Sequence, residues 1–539
     1  MNWQVTSSIY GGQSYSTAQR EAYETVANAL LEQAQAFSAL SASWQTTALQ
    51  LNRHRVSATM CSASYGSGTG SNMSSGIASA NNANAVQHDS LPYSQLIEQC
   101  NEHAQQCTRV SEEFATMAHS LIRAHSLYAE AELAALRNVN AITSKAATIA
   151  PSHVAVLGGY LAVDGYTTKS KQEGASNFIH ASDTVSWAHE GFVSGLASHL
   201  LLLMRIPRYG SAPVNAVASI TAMLSAPFKN LTQGNTLCIR EVQAQTDVVR
   251  SSHSVASGME NLRRLAEERL GTIELHSGLS YATIAVQRYR RADGTDGWLV
   301  LVPGTDGQED SPFGWEQNVE LMSDKSWQRK RADSLRLVNM AMSKAGIGKD
   351  DEVAIIGHSQ GGIVAAAAAA DLQDRYNITH VVTAGSPIAN HPIPEQTWVT
   401  SIEIEDEVVA SLDGATNPAT PQWLTIRGQV SAAPGTTATS TEDDGAYIPE
   451  AGIPQSELTG ALVANAPKQK EITHWLKYHQ AAYAHASDQG SYAVTQHEQH
   501  FQEIIDGELL ETHYYEGRML QSTPPEALQW LAQPKVGIL

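Results

Sequence analysis

The run Val353-Ala354-Ile355-Ile356-Gly357-His358-Ser359-Gln360-Gly361-Gly362 constrains this chain more than any other. A short apolar stretch ends in Gly-x-Ser-x-Gly, and an alanine run from Ala365 to Ala370 follows almost at once. That order predicts a buried strand, a sharp turn and a helix, with the serine on the turn. The spacing has a physical reason. A serine on a tight strand-to-helix turn projects its hydroxyl above the sheet, and glycines at 357 and 361 let strand and helix pass without colliding side chains. The small alanine face then packs closely on the sheet. In an ordinary glycine-rich turn the same pentapeptide would hold a structural serine. Its placement between a strand former and a helix former points instead to a nucleophile.

Strand and helix signals alternate around this run. Residues 283–289 alternate in polarity, 292–297 hold turn formers, and 298–302 return as a strand. A helix is expected over 333–345, with further strands over 380–383 and 399–404. Strands alternating with helices predict an α/β protein with a mainly parallel sheet.

The rest of the chain reads differently. Residues 16–60 carry a helical pattern, with a break expected at 38–43 and Trp44 opening the next helix. Residues 62–89 are Ser, Gly, Asn and Ala and read as a flexible loop, and a second long helix is expected over 93–144. Together these predict an antiparallel α-helical hairpin or small bundle. Apolar patches between Pro and Gly predict helices over 149–274, the last a polar amphipathic helix at 240–270. Residues 432–457, rich in Thr, Pro, Gly and acid, read as an excursion. The expected division is a helical hairpin at 1–148, a helical middle region at 149–274, a catalytic domain at 275–500 and a C-terminal tail at 501–539 without a chemical signal.

Composition narrows the function. A length of 539 residues implies more than one domain. A formal net charge of −20 argues against nucleic acid as partner and against adsorption to an anionic membrane. Cys61, Cys100, Cys107 and Cys238 include no Cys-x-x-Cys, so neither a disulfide scaffold nor a zinc site is expected. No metal or organic cofactor is called for. Residues 1–10 lack a basic region followed by an apolar run, so no ordinary signal peptide is read there. The most apolar run, 196–206, is too short to span a bilayer, so no transmembrane segment is expected.

A serine hydroxyl needs a histidine base, and the histidine needs a carboxylate to fix its tautomer. After an elbow of this kind the chain order is serine, acid, histidine. Asp406 follows the 399–404 strand by two residues and is the expected acid; Asp413, in Leu412-Asp413-Gly414, is the rival and reads better as a turn residue. Glu403 and Glu405 lie too close to the strand body. For the base, His479 is preferred and His474 is second; a tyrosine stands four residues after each. The oxyanion hole needs two backbone N–H groups. Gln360 supplies one as the residue after the nucleophile, and Thr305, in Pro303-Gly304-Thr305, is the expected second donor.

Taken together, Pro303-Gly304-Thr305, Trp315, Asn318, the elbow, Ala384-Gly385-Ser386-Pro387, Asp406, Leu412-Asp413-Gly414 and Asn417-Pro418 resemble actinobacterial α/β hydrolases distantly related to class 3 lipases. His479-Gln480-Ala481-Ala482-Tyr483 resembles the late His-to-Tyr motif of that family. The resemblance covers residues 275–490 and implies an α/β-hydrolase fold with a Ser–Asp–His acyl hydrolase site. One departure stands out: the family has proline after the valine of its acid loop, whereas this chain reads Asp406-Glu407-Val408-Val409. The N-terminal part resembles the helical-hairpin modules of type VII secretion. Tyr128 and Glu132 match that system's Tyr-x-x-x-Glu export motif, and Trp44 stands for the hairpin tryptophan without the following x-Gly.

Two functions follow as expectations. One is an esterase or lipase-like enzyme that cleaves carboxylic esters, lipids among them, through an acyl-enzyme at Ser359; a peptidase or amidase would share its triad. The other is an exported effector or interaction protein, its hydrolase domain toxic or inactive, whose hairpin binds a small helical partner protein or the secretion machinery; the chain is then expected outside the cell or on its surface without a signal peptide, the alternative being the cytoplasm.

Overall fold

A computed structural model describes residues 2–12, 17–64, 92–124, 129–152, 154, 188–206, 210–405, 407–433, 453–457, 459–464 and 472–521. Its strands are β1 (Asn2–Gly11), β2 (Thr236–Val242), β3 (Thr283–Arg290), β4 (Asp296–Val302), β5 (Glu352–His358), β6 (Asn377–Ala384), β7 (Trp398–Ile404), β8 (Trp423–Ala432), β9 (Ser456–Glu457), β10 (Gly460–Ala464) and β11 (Glu508–Leu520). Its helices are α1 (Thr17–Ser64), α2 (Tyr93–Ala124), α3 (Ala129–Ile149), α4 (His189–Leu203), α5 (Pro213–Thr232), α6 (Val255–Arg269), α7 (Glu316–Leu321), α8 (Ser326–Arg329), α9 (Asp333–Ala345), α10 (Gln360–Asp371), α11 (Leu476–Asp488) and α12 (Tyr492–Ile505). Two compact units result: residues 18–122, and residues 1–17 with 123–539.

The larger unit is built on one sheet of eleven strands in the order β2-β11-β3-β4-β5-β6-β7-β8-β1-β10-β9. Strands β4 to β8 run parallel, and the strands flanking them on both sides pair antiparallel. The central strands read as unbroken apolar runs because both of their faces are covered. Leu299, Leu301, Ala354 and Ile356 face one core with Met259 and Leu262 of α6, Tyr478 of α11 and Phe501 of α12. Their neighbours Trp298, Val300, Val353 and Ile355 face a second core with Leu337 of α9 and Val364 of α10. The sheet therefore lies between two helical layers, an α/β-hydrolase-like arrangement.

The smaller unit consists of α1 and α2. Ser111 Oγ donates to the Ala34 carbonyl and Ser41 Oγ to the Ala104 carbonyl, so the two helices run antiparallel. Small buried residues, Ala27, Ala34, Ala48, Ala104 and Ala118, line the seam and permit that close approach. Trp44 rests on His103 with ring centroids 5.0 Å apart. The break expected at 38–43 does not occur; α1 is continuous through it.

Several expectations are corrected. Residues 2–11 are not part of a helical hairpin: they form β1, hydrogen-bonded to β8 on one side and β10 on the other. Trp3, Val5, Ser7 and Ile9 alternate inward, the period of a half-covered strand. The helix expected over 93–144 is two helices, α2 and α3, which belong to different units. The region 149–274 is not all helical. Residues 236–242 form β2, because Leu237, Cys238 and Ile239 are buried in an edge strand, and the helix expected from 240 starts only at Val255. Ser254 caps it, its hydroxyl accepting from the Ser257 N–H at 3.0 Å. The tail at 501–539 supplies β11, which pairs with β2 and β3. Of the loop expected at 62–89, residues 62–64 instead end α1 and the rest lie outside the described residues, as do Tyr128 and most of the excursion expected at 432–457; Glu132 lies near the start of α3.

No helix among the described residues is long and apolar enough to cross a membrane. No group of three His, Cys, Asp or Glu side chains among them is placed to hold a metal ion.

Helix α12 is fastened to the sheet by a directed chain of neutral imidazoles. His500 Nδ1–H donates to His380 Nδ1, His380 Nε2–H to Thr400 Oγ1, and the Thr400 hydroxyl to His497 Nδ1, each at 3.0 Å. His497 Nε2–H donates to the Pro421 carbonyl. An added proton on His380 or His497 would set donor against donor. Burial lowers the His497 pKa from 6.5 to about 3, and burial with its two histidine neighbours holds His380 well below its usual value. The unfolded chain thus binds more protons below pH 6.5, and stability falls as the pH drops from there toward 3. At pH 5 the depressed pKa of His497 alone removes about 2 kcal/mol. His497→Asn keeps an acceptor for Thr400 without a titrating group. In urea melts it should lose about 2 kcal/mol less than the wild type between pH 7 and pH 5; equal losses would count against this account.

Candidate active site

The site grows out of the turn between β5 and α10. Ser359 caps α10 with φ 54° and ψ −122°, a left-handed backbone that a non-glycine residue holds only when its surroundings enforce it. The enforcement is visible: the Ser359 N–H donates to the Ala384 carbonyl at 2.9 Å, and the Ser386 hydroxyl donates to the Ser359 carbonyl at 2.8 Å. Gly361 makes the turn feasible, since a Cβ there would lie 1.9 Å from the Val302 carbonyl oxygen. Gln360 is buried, and its amide donates to the Gly314 carbonyl at 2.8 Å and to Asn318 Oδ1 at 3.0 Å. The start of α10 is thereby tied to the loop after β4.

Ser359 opens on a cavity of about 340 Å³. Gly304, Thr305, His358 and His474 line it with the serine, and Leu270, Trp315, Trp475 and Leu476 supply apolar wall. Neither the Thr305 N–H nor the Gln360 N–H has a hydrogen-bond partner among the described residues.

His474 stands in the loop before α11. Its Nδ1–H donates to Glu407 Oε1, which leaves Nε2 as the basic nitrogen, and the residue lines the cavity. His479 sits one turn into α11 and is fully buried. Its Nε2–H donates to Glu407 Oε2 at 2.8 Å, and its Nδ1 lies 3.3 Å from the Trp475 carbonyl oxygen. The preference for His479 over His474 therefore runs against the geometry: both of its nitrogens are engaged away from the cavity.

Glu407 joins the two rings. Burial alone would raise its carboxyl, but His474 and His479 outweigh burial and hold it well below the usual carboxylate range. Its backbone N–H donates to the Ile404 carbonyl at 3.0 Å, a turn that carries the carboxylate back over the end of β7. Gly385, at φ +60°, lets the acid and both histidines converge, since a Cβ there would meet Glu407 Oε1 at 2.5 Å and His479 Nε2 at 2.9 Å. His358 completes the cluster, its Nε2–H donating to the His474 carbonyl at 2.8 Å. Burial, followed by the two neighbouring histidines, pushes the His358 pKa well below 6.5.

Asp406 lies outside the described residues. Asp413 is buried away from the histidines, accepting from the Ala389 N–H at 2.7 Å and the Ala415 N–H at 3.2 Å. Burial raises its pKa well above the ordinary value, as befits a group that braces a turn. Glu407 drew no attention in the sequence because the acid was sought at its neighbour Asp406. The absence of proline after Val408 was the visible sign that this loop has its own register.

A comparison with protein families matches residues 332–461 to the PGAP1-like alpha/beta domain, of the α/β-hydrolase and lipase-related superfamily. The match begins just before α9, takes in Ser359 and Glu407, and stops before His474 and His479. No curated protein and no solved structure matches the chain.

Proposed function

We propose that this protein is a serine hydrolase of carboxylic esters, with Ser359 as nucleophile, His474 as base and Glu407 as the acid that orients it. The observation that carries the reading is the strained Ser359 sharing one cavity with His474, whose Nδ1 is held by a buried carboxylate. His474 Nε2 takes the Ser359 proton as Oγ bonds to the ester carbonyl carbon. The oxygen of the tetrahedral intermediate becomes an alkoxide, and the Gln360 and Thr305 N–H groups receive it. Collapse expels the alcohol, which leaves with the proton from His474. Water then attacks the acyl-enzyme by the same route, releasing the acid and restoring Ser359. Glu407 stays ionised and stabilises the imidazolium formed twice in each cycle. The apolar wall of Leu270, Trp315 and Trp475 suits the acyl portion of an ester or lipid. None of these residues belongs to the helical unit at 18–122.

The test is covalent labelling. A fluorophosphonate probe should modify Ser359 alone, as located by peptide mapping, and labelling should slow in the presence of a hydrolysed ester from a panel of graded acyl lengths. A probe that labels no serine, with no ester turned over, would overturn the reading.

A further inference from the structure

We propose that Arg269 is a positioning residue for the oxyanion site, fixing the Gly304–Thr305 peptide so that the Thr305 N–H is aimed at the charge developing beside Ser359. The inference rests on the serine-hydrolase reading above. Arg269 closes α6, and its side chain is 1 % exposed in the wall of the catalytic cavity. Nη2 donates to the Gly304 carbonyl oxygen at 2.5 Å, and Nη1 donates to Asp306 Oδ2 at 3.2 Å. Asp306 is itself anchored, accepting from the Ala282 N–H at 3.0 Å, the Ser311 hydroxyl at 2.8 Å and the Gln308 N–H at 3.2 Å. The Phe313 ring packs on the guanidinium, 5.7 Å from its carbon to the ring centroid.

In a trans peptide the carbonyl and the following N–H point in opposite directions, and no cis bond occurs among the described residues. A donor clamped to the Gly304 oxygen therefore sets the direction of the Thr305 N–H. The peptide borders the nucleophile, since a Cβ on Gly304 would lie 3.1 Å from Ser359 Cβ. The Thr305 N–H also has no acceptor of its own among the described residues. A fixed carbonyl with a vacant N–H on its far side is a donor held ready before charge appears. Arginine suits the task because its planar fork holds a carboxylate and a carbonyl at once, whereas an ammonium has no such plane.

The test compares wild type, Arg269→Met and Arg269→Lys on a soluble aryl ester, with turnover counted per Ser359 titrated by a fluorophosphonate. Affinity for a trifluoromethyl ketone, whose serine adduct carries the oxyanion, is measured alongside. Arg269→Met should lower kcat per titrated site about 100-fold, with KM moving less than about threefold and ketone affinity falling in step with kcat/KM. Arg269→Lys should fall between the two. A merely structural arginine would lower the titrated fraction while leaving turnover per site unchanged, and that result, or a loss confined to KM, overturns the proposal. If Arg269→Met does not fold, the lysine variant decides by the same criteria. A wild type that neither labels nor turns over defeats the hydrolase reading itself; an active wild type with unaffected Arg269 variants defeats only the role given to Arg269.

Discussion

Ser359→Ala is expected to lower kcat for ester hydrolysis by roughly four to six orders of magnitude, because nucleophile, base and acid act as a unit and the remainder supplies little without the nucleophile. The fold should survive. Alanine has the same cost at φ 54° as serine, and the contacts that hold the turn are backbone groups and the Ser386 hydroxyl rather than the Ser359 side chain. The thermal midpoint should therefore stay within a few degrees of wild type. Circular dichroism melts and a single-turnover assay read both quantities from one preparation. Near-normal turnover in this variant would remove Ser359 from the chemistry.

His474→Ala should be nearly as inactive as Ser359→Ala, and the two together no worse than either alone, since each disables the same step. His479→Ala should behave differently. It removes the 2.8 Å hydrogen bond to Glu407 Oε2 and leaves a buried carboxylate short of one donor. The expected cost is about 1–3 kcal/mol of stability. Activity should fall by only about 10- to 100-fold, in line with loss of a group that orients another. Urea melts and kcat for both variants under one assay decide between the histidines. A dead His479 variant beside an active His474 variant would reverse the assignment.

Much of the candidate site's framework was legible in the sequence because local chemistry and global position coincide there. The apolar run of β5, the glycines of the elbow and the alanine face of α10 each satisfy a short-range demand, so spacing alone reveals them. The second oxyanion candidate, Thr305, was legible for the same reason, as the residue after a glycine at a strand end. The carboxylate that holds both histidines was not, because its register depends on a turn. Asp406 and Glu407 are adjacent and chemically alike, and the turn closed by the Glu407 N–H on the Ile404 carbonyl, which brings the Glu407 carboxylate to the histidines, leaves no local mark in the sequence. The choice between His474 and His479 has a different difficulty. The two stand five residues apart, and which one meets the cavity is set by where α11 begins, a boundary that capping statistics place poorly. Strands β1, β2 and β11 were missed because their partners lie far along the chain. Trp3, Val5, Ser7 and Ile9 do alternate, but a single short stretch with polar interruptions carries little signal until β8 and β10 are there to receive it.

That first strand bears on how the molecule is made. Residues 2–11 pair with 424–432 and 461–464, so β1 leaves the ribosome more than four hundred residues ahead of the strands that receive it. At ordinary elongation rates the delay is roughly 20 to 80 s. Until β1 docks, β8 is an open sheet edge carrying Trp423, Leu424 and Ile426, a surface prone to pair with another chain. The helical segment 18–122 is thus threaded between two parts of one sheet-forming unit. Trimming the chain from its N-terminus to remove the hairpin would also strip β1 and leave that edge bare. Only an internal excision, with residues 2–12 retained and rejoined by a short linker near residue 129, separates the role of the hairpin from the integrity of the sheet.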